Sequence, residues 1–427
     1  MSRIAVIGAG IAGLYTAWRL ARDHDVTVFE AADYAGGHTN TVDVERGGRH
    51  WSIDTGFIVF NDWTYPNFIA MLRELGVAWQ PSNMSFSLQC ERTGLEYNGT
   101  SLNSLFAQRR NLLRPSFLRM IAEILRFNAA ARRWLRETEG DMTLGEFLRE
   151  GRYSAQFVEH YIVPMGRSIW SAEASAMLGF PARFFIDFFD RHGFLNVDDR
   201  PVWQTVTGGT REYVRALLRQ MRARVRLSTP IESIRRQPNQ VQVRTRRGDV
   251  ETFDYAFLGC HSDQALALLD VPSHAETDVL GALPYAATEA ILHTDASVLP
   301  KRKLAQAAWN YHLLRDAQEP VALTYDMNVL QALPASAGRF LVTLNHRRAI
   351  DERRILRTFQ YAHPVYTPEG VRAQARHREL NGAQRTYFCG AYWRCGFHED
   401  GVVSAQAALA HFAEDQERAQ LPLPRVG

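Results

Sequence analysis

Lysine is almost missing from this chain: of 49 cationic residues only Lys301 and Lys303 are lysines, both within Leu299-Pro300-Lys301-Arg302-Lys303. Any chemistry that needs a lysine has these two candidates alone, and their charge-rich stretch reads as an exposed turn. Cysteine is scarce too. Cys90, Cys260, Cys389 and Cys395 show no metal-ligand spacing, so no metal centre is expected, and the reduced thiols of a cytoplasmic protein are the default. No apolar run approaches the roughly 18 residues that span a bilayer. The N-terminus lacks a secretory pattern, because the apolar Ile4 to Ile7 ends at once in glycines. Repeats and low-complexity tracts are absent, and a formal net charge of +3 gives no reason to expect a nucleic-acid partner.

What is present begins at the first residues. With 427 residues, 46% of them apolar, the chain can fill two cores. Ile4-Ala5-Val6-Ile7 reads as a buried strand, Gly8-Ala9-Gly10-Ile11-Ala12-Gly13 as a glycine turn, Leu14 to Ala21 as a helix, and Val26-Thr27-Val28-Phe29 as a second strand closing on Glu30. That order is a dinucleotide-binding βαβ unit. Gly8 permits the tight turn, Gly10 lets backbone approach a pyrophosphate, and Gly13 lets the helix pack on the strand. The helix N-terminus would face the phosphates, with Ile11 and Ala12 of the turn among the cofactor contacts, while Glu30, followed by Ala31, would accept hydrogen bonds from a ribose and disfavour a 2′-phosphate. A second complete fingerprint is missing, which disfavours a nicotinamide dehydrogenase.

Gly36-Gly37-His38 and then Ile53-Asp54-Thr55-Gly56-Phe57 follow within a short interval. Fingerprint, acid, glycine pair and D-x-G in this order resemble the flavin-binding half of the amine oxidase, protoporphyrinogen oxidase and phytoene desaturase superfamily. The resemblance implies FAD, with the glycine pair against the pyrophosphate and ribityl region and Thr55, Gly56 and Phe57 passing beside the isoalloxazine. Arginine is usual where His38 stands. Near the C-terminus, Thr386-Tyr387-Phe388-Cys389-Gly390-Ala391 reads as a strand ending in glycine, and Gly396-Phe397-His398-Glu399-Asp400-Gly401-Val402 leads into a helix from about Gly401 through His411. In the superfamily an aspartate commonly takes the place of Ala391. The helix from Gly401 and Val402, after Asp400, would aim its N-terminal dipole at the flavin. Val206 to Thr210, a helix through Met221, and strands at Val225 to Leu227, Ile231 to Ile234, Val241 to Thr245 and Tyr255 to Gly259 form the middle piece, with a hairpin at Gly248. By the same resemblance Ile231 passes the adenine.

The implied architecture is α/β: a glutathione-reductase-like, Rossmann-type FAD-binding domain with an inserted α+β substrate domain. The FAD domain gathers residues 1–60, 203–270 and 384–418, the substrate domain takes 61–202 and 271–383, and 419–427 form a tail with Pro422 and Pro424. The substrate part is aromatic. Phe180 to Phe189 carries five phenylalanines, and Trp309, Tyr392, Trp393 and Phe397 are candidate substrate-pocket residues. Between Arg109 and Arg136 stand Arg109, Arg110, Arg114, Arg119, Arg126, Arg132, Arg133 and Arg136 against Glu123 alone. Phe117, Leu118, Ile121, Ile124, Leu125 and Phe127 recur there at helical spacing, so residues 115–136 read as a basic amphipathic helix. It either docks on an anionic membrane surface at its apolar face or buries that face as ordinary core.

The segments Ala308-Trp309-Asn310-Tyr311, Thr324 to Asn328, Thr343 to His346, His363-Pro364-Val365-Tyr366 and G-F-H-E-D-G resemble a branch of bacterial flavoproteins similar to amine oxidases. Members of that branch are often encoded beside cyclopropane-fatty-acid-synthase-like methyltransferases, which implies, by association, chemistry on modified acyl chains and a lipid methyltransferase as partner. Three readings follow. The first is an FAD-dependent oxidoreductase acting on carbon–carbon bonds of a lipid, working in the cytoplasm or at the inner face of the membrane. The second is an amine oxidase, which requires a lysine near the flavin and an acid-lined approach. The third is a non-catalytic flavoprotein supporting a lipid-modifying enzyme. For proton handling His398 and Glu399 are the leading candidates, ahead of His346 and His363. The alternative is that His398 orients its turn while Glu399 or Asp400 caps the final helix.

Overall fold

A computed structural model describes residues 1–138, 140, 142–170, 174–315 and 320–420, so the expected tail lies outside the described residues from residue 421 on. In chain order the elements that matter here begin with β1 (Arg3–Ile7), α1 (Ile11–Leu20), β2 (Asp25–Phe29), the hairpin β3 (Thr41–Arg46) and β4 (Arg49–Asp54), and α2 (Pro66–Leu75). After β5 (Phe86–Cys90) and β6 (Glu96–Asn98) come α3 (Pro115–Glu137), α4 (Ala182–Arg191) and α5 (Arg211–Gln220). Then follow β7 (Arg224–Arg226), the three-stranded β8 (Ile231–Arg236), β9 (Val241–Thr245) and β10 (Val250–Phe253), and β11 (Tyr255–Leu258). The chain closes through β12 (Tyr285–His293), β13 (Trp309–Leu313), β14 (Ala322–Asp326), β15 (Leu341–Leu344), β16 (Ile355–Pro364), β17 (Thr386–Phe388) and α6 (His398–Gln420).

Two sheets organise the molecule. The first runs β7-β2-β1-β11-β17, all parallel, and takes its strands from three distant parts of the chain. Its central strand β1 is apolar on both faces, as a strand covered on both sides must be. The second runs β16-β12-β15-β14-β13-β5-β6, antiparallel except for the β13/β5 pair. This is the α/β architecture expected from the sequence.

Close glycine packing fixes α1 on β1. A Cβ at Gly13 would lie 2.0 Å from the Gly8 carbonyl oxygen, and one at Gly259, after β11, would lie 2.8 Å from the Gly13 Cα. The helix thus begins at Ile11, three residues before the expected Leu14, because the glycine turn passes directly into it. At the other end α6 begins at His398 instead of Gly401 and continues past His411 to Gln420. Asp400 explains the earlier start: its Oδ2 accepts the N–H groups of Cys395 at 3.1 Å and Phe397 at 2.9 Å, satisfying donors that precede the first turn. Gly401 has a different task, since a Cβ there would meet the Ile11 side chain at 2.7 Å where α6 crosses α1.

The long basic helix α3 buries Phe117, Met120, Phe127 and Ala131 in the core beneath it. Most of the apolar face marked by the periodicity is therefore core, the second of its two expected roles; Leu118 and Leu125 are the exceptions and are exposed.

Gly13→Ala should destabilise the fold by about 1–3 kcal/mol, because the added methyl must push α1 off β1. Urea unfolding checks this, and unchanged stability would contradict the packing argument.

Candidate functional site

One cavity of about 1180 Å³ opens at the carboxyl ends of the parallel strands. Ile7, Phe29, Gly259 and Gly390, which end or follow β1, β2, β11 and β17, all line it. Open α/β sheets place ligands at this edge.

The first part of the cavity has the form of a dinucleotide cradle. The N-terminus of α1 carries no side-chain cap, which leaves its first N–H groups for an anion. A Cβ on Gly10 would have no atom within 4 Å, so the space above the helix end is open, and Gly37 packs directly on Gly10. Glu30 accepts the N–H of Ala9 at 2.7 Å and of Ala32 at 2.9 Å, which holds its carboxylate at the cavity wall beside the turn. Gly8, Gly10, Ile11, Ala12, Glu30, Ala31, Gly36, Gly37, His38, Gly56, Phe57, Ile231, Gly390 and Ala391 all line the cavity.

Other expected contacts lie one layer behind it. Gly13 is packed on Gly8, and Gly401 and Val402 are buried against α1. Thr55 donates to the Asn40 carbonyl and shares a 2.8 Å hydrogen bond with Tyr361. Asp400, pushed up to about 6 by burial, is occupied in capping α6. These residues support the wall without lining it.

Imidazoles converge around His38. His38 lies with its ring 5.1 Å from Tyr361, 5.5 Å from His363 and 5.9 Å from His261, and its Nε2 is buried without a hydrogen-bond partner among the described residues. Desolvation lowers all three, His261 to about 4 and His363 to about 3. The wall here therefore carries no fixed cation, although it offers ring nitrogens to an anion. His363 stood out in the sequence within H-P-V-Y, whereas His261 carries no sequence signal and reaches the cavity only because β11 ends beside β1.

His398 and Glu399 part company. His398 lies flat on Phe57 with ring centroids 3.5 Å apart, and its Nε2 is shared between the hydroxyls of Thr39 at 2.9 Å and Tyr213 at 3.0 Å. Burial holds it well below the ordinary histidine range, so it is a neutral imidazole. Glu399 points away: its oxygens accept the N–H of Asn67 at 3.1 Å, the Asn67 side-chain amide at 2.6 Å and the N–H of Phe68 at 2.9 Å. It caps α2 and does not line the cavity, which corrects its reading as a proton-handling group. Trp393 does not line the cavity either, which corrects its reading as a substrate-pocket residue: it packs on His377 at 4.1 Å in the core behind Tyr392. His346 also lies outside the cavity.

The second part of the cavity is an aromatic arm. Met84, Phe86, Met165, Trp170, Phe188, Trp309, Tyr325 and Phe397 line it, with Phe188 stacked 5.2 Å from Phe397. Across the whole cavity the only carboxylate among the described lining residues is Glu30, and the only permanent cations are Arg200 and Arg246. Neither lysine comes near. Lys301 and Lys303 are exposed, and the backbone of Lys301 and Arg302 is tied to Glu96.

One residue the sequence quoted without a task proves structural. Asp54, pushed up to about 6 by burial, accepts from Thr41, from the N–H and hydroxyl of Thr210, and from Gln331, so it pins the β3–β4 hairpin to the turn that starts α5.

Two outcomes follow. Gly10→Ala should leave the stability of the ligand-free protein unchanged, since its methyl meets nothing, yet sharply lower the amount of dinucleotide bound after purification. Retention of full occupancy would contradict the cradle. The five lining imidazoles, His38, His192, His261, His363 and His398, titrate lower in the fold than in the unfolded chain, which takes up protons first as pH falls below about 6.5. Asp54 and Asp400, raised, oppose this below about 6 but are fewer. Melting of the ligand-free protein should therefore shift to lower temperature between pH 6.5 and 4, and His261→Gln should flatten the slope; melting temperatures that rise with acid would contradict it.

Comparison with known proteins agrees with this geometry. The family model for flavin-containing amine oxidoreductases matches residues 11–324. The Mycobacterium tuberculosis protein AofH, named as a flavin-containing monoamine oxidase, is 29% identical over 263 residues, covering 58% of this chain and 54% of that protein. The match thus spans about half the length of this curated relative. Among solved structures, cyclohexylamine oxidase from Brevibacterium oxydans superposes with a TM-score of 0.71 at 15% identity, covering 98% of this chain and all of that one. A CLA-producing fatty acid isomerase from P. acnes gives 0.69 at 16% identity, covering 96% of this chain and 98% of that one. At such identities the likeness shows the fold. The uncapped helix end, the Glu30 carboxylate and the open space above Gly10 fit the dinucleotide these relatives imply: the chain belongs to the flavin-containing amine oxidoreductase family, and its cofactor is FAD.

Proposed function

We propose that this FAD-dependent oxidoreductase removes hydrogen from adjacent carbons of a fatty acyl chain or related lipid. The observation that carries the reading is the aromatic arm: among the described residues it holds no carboxylate to receive an ammonium group and no lysine. An apolar, acid-free channel gains from burying methylene groups at about 0.8 kcal/mol each and offers a protonated amine, which must leave water to enter, no carboxylate in exchange. FAD, when bound, supplies the acceptor for the hydride. The accompanying proton must go to the chain or to solvent. His398 is the group we assign to it, because it lines the cavity, is uncharged at neutral pH, and connects through Nε2 to the hydroxyls of Thr39 and Tyr213.

The solved fatty acid isomerase of the same fold supports this reading by analogy. Flavin amine oxidase activity is the second reading, favoured by the family match and by the name of the curated relative. Anaerobic titration of the holoenzyme separates the two. Bleaching of the flavin band by methylated or unsaturated acyl lipids, and not by amines, is the expected result, and bleaching by amines alone would overturn the proposal.

His398→Ala should keep flavin bound but slow its reduction by about 10²-fold. Glu399→Gln should lower the melting temperature through the weakened cap on α2 and leave the reduction rate unchanged. A full reduction rate in His398→Ala would remove that residue from proton transfer.

A further inference from the structure

The basic helix α3 carries more than its buried face. Leu118, Ala122, Leu125 and Ala129, at spacings of three and four, form one line on the side opposite Phe117, Met120 and Phe127, and all four are exposed. Arg119, Arg126 and Arg133, seven residues apart and also exposed, run along the edge of that line. Just before α3, Leu113 is 87% exposed and Leu112 50%. These leucines form no part of the core, and the arrangement costs the protein solvation unless something covers it.

Charge indicates what covers it. From Gly99 to Arg136 the only acid is Glu123, and it is buried between Arg119 and Arg126. Arg110, Arg114, Arg133 and Arg136 form no ion pair among the described residues. Exposed leucines interleaved with unpaired arginines match an anionic phospholipid surface, where apolar side chains enter the acyl boundary and guanidinium groups meet phosphates. Position supports the same occupant. Gly99 and Thr100 are exposed and line the cavity, Leu102 beside them is 76% exposed, and the Arg109 guanidinium donates to Asn103 and Phe106, whose ring rests against Phe117. The cavity mouth and the leucine line therefore belong to one packed unit.

We propose that this face of α3, with Leu112 and Leu113, docks the enzyme on anionic phospholipid bilayers beside the mouth of its cavity. Docking stands on the surface itself; the idea that acyl chains enter the mouth from the bilayer rests on the proposed function.

The test is sedimentation of the FAD-loaded enzyme with phosphatidylcholine vesicles, with and without phosphatidylglycerol. The wild type should sediment with the anionic vesicles and stay in solution with the neutral ones. Leu112→Glu/Leu113→Glu and, separately, Arg110→Glu/Arg133→Glu should each lower the bound fraction at least about fivefold, with flavin content, melting temperature and anaerobic reduction by a detergent-dispersed acyl substrate unchanged. Failure of the wild type to bind anionic vesicles, or equal binding by both variants, would overturn the proposal. So would ultracentrifugation showing that the leucines close a dimer and that the dimer ignores vesicles. Vesicle binding without reduction by any lipid would leave docking intact and remove the acyl-chain reading.

Discussion

The structure depends on the contact between the start of α1 and the strand beneath it. Gly8, Gly13 and Gly259 bring three backbone segments closer than any side chain would allow, and that closeness aims an uncapped helix end into the cavity. An anion there meets N–H groups already oriented by the fold, with no side chain to reorganise. The far elements serve this geometry. Asp400 caps α6, Gly401 lets α6 cross α1, and Glu399 ties α2 to the same helix, so distant parts of the chain hold one edge of the parallel sheet.

What the helix end does for the cofactor, the absence of a carboxylate from the aromatic arm would do for the proposed substrate. The second sheet and α4 surround the rest of the cavity with aromatic side chains and, among the described lining residues, no carboxylate. In a low-dielectric arm a lone ammonium would face a desolvation cost with no carboxylate to offset it, while an alkyl chain would face none. Relatives that share the backbone architecture bear the names of amine oxidases and of a fatty acid isomerase, so the fold alone does not choose between substrates. The choice lies with side chains lining the arm.

Much of the cofactor half was legible because its residues have local reasons. Glycines at fixed intervals, an apolar strand before them and an acid after the next strand describe backbone geometry within thirty residues. Glu399 could not be understood in this way, since its partners, Asn67 and Phe68, lie more than 300 residues away in sequence. His261 was invisible for a similar reason: only the pairing of β11 with β1 brings it to the cavity. The helix α3 shows the limit of periodicity, which marked an apolar face correctly but could not say that Phe117 and Phe127 were core while Leu118 and Leu125 were left outside. Trp393 looked like a pocket residue from composition and is core, because an aromatic side chain beside a site is as useful for packing as for binding.

The most direct test is the affinity of the FAD-loaded enzyme for a matched pair of ligands, a long-chain alcohol and the alkylammonium ion of equal length, measured by calorimetry. An acid-free arm predicts that the alcohol binds more tightly by at least about tenfold, or roughly 1.4 kcal/mol. Tighter binding of the ammonium would mean that a carboxylate reaches the substrate, and the account of this site would be wrong.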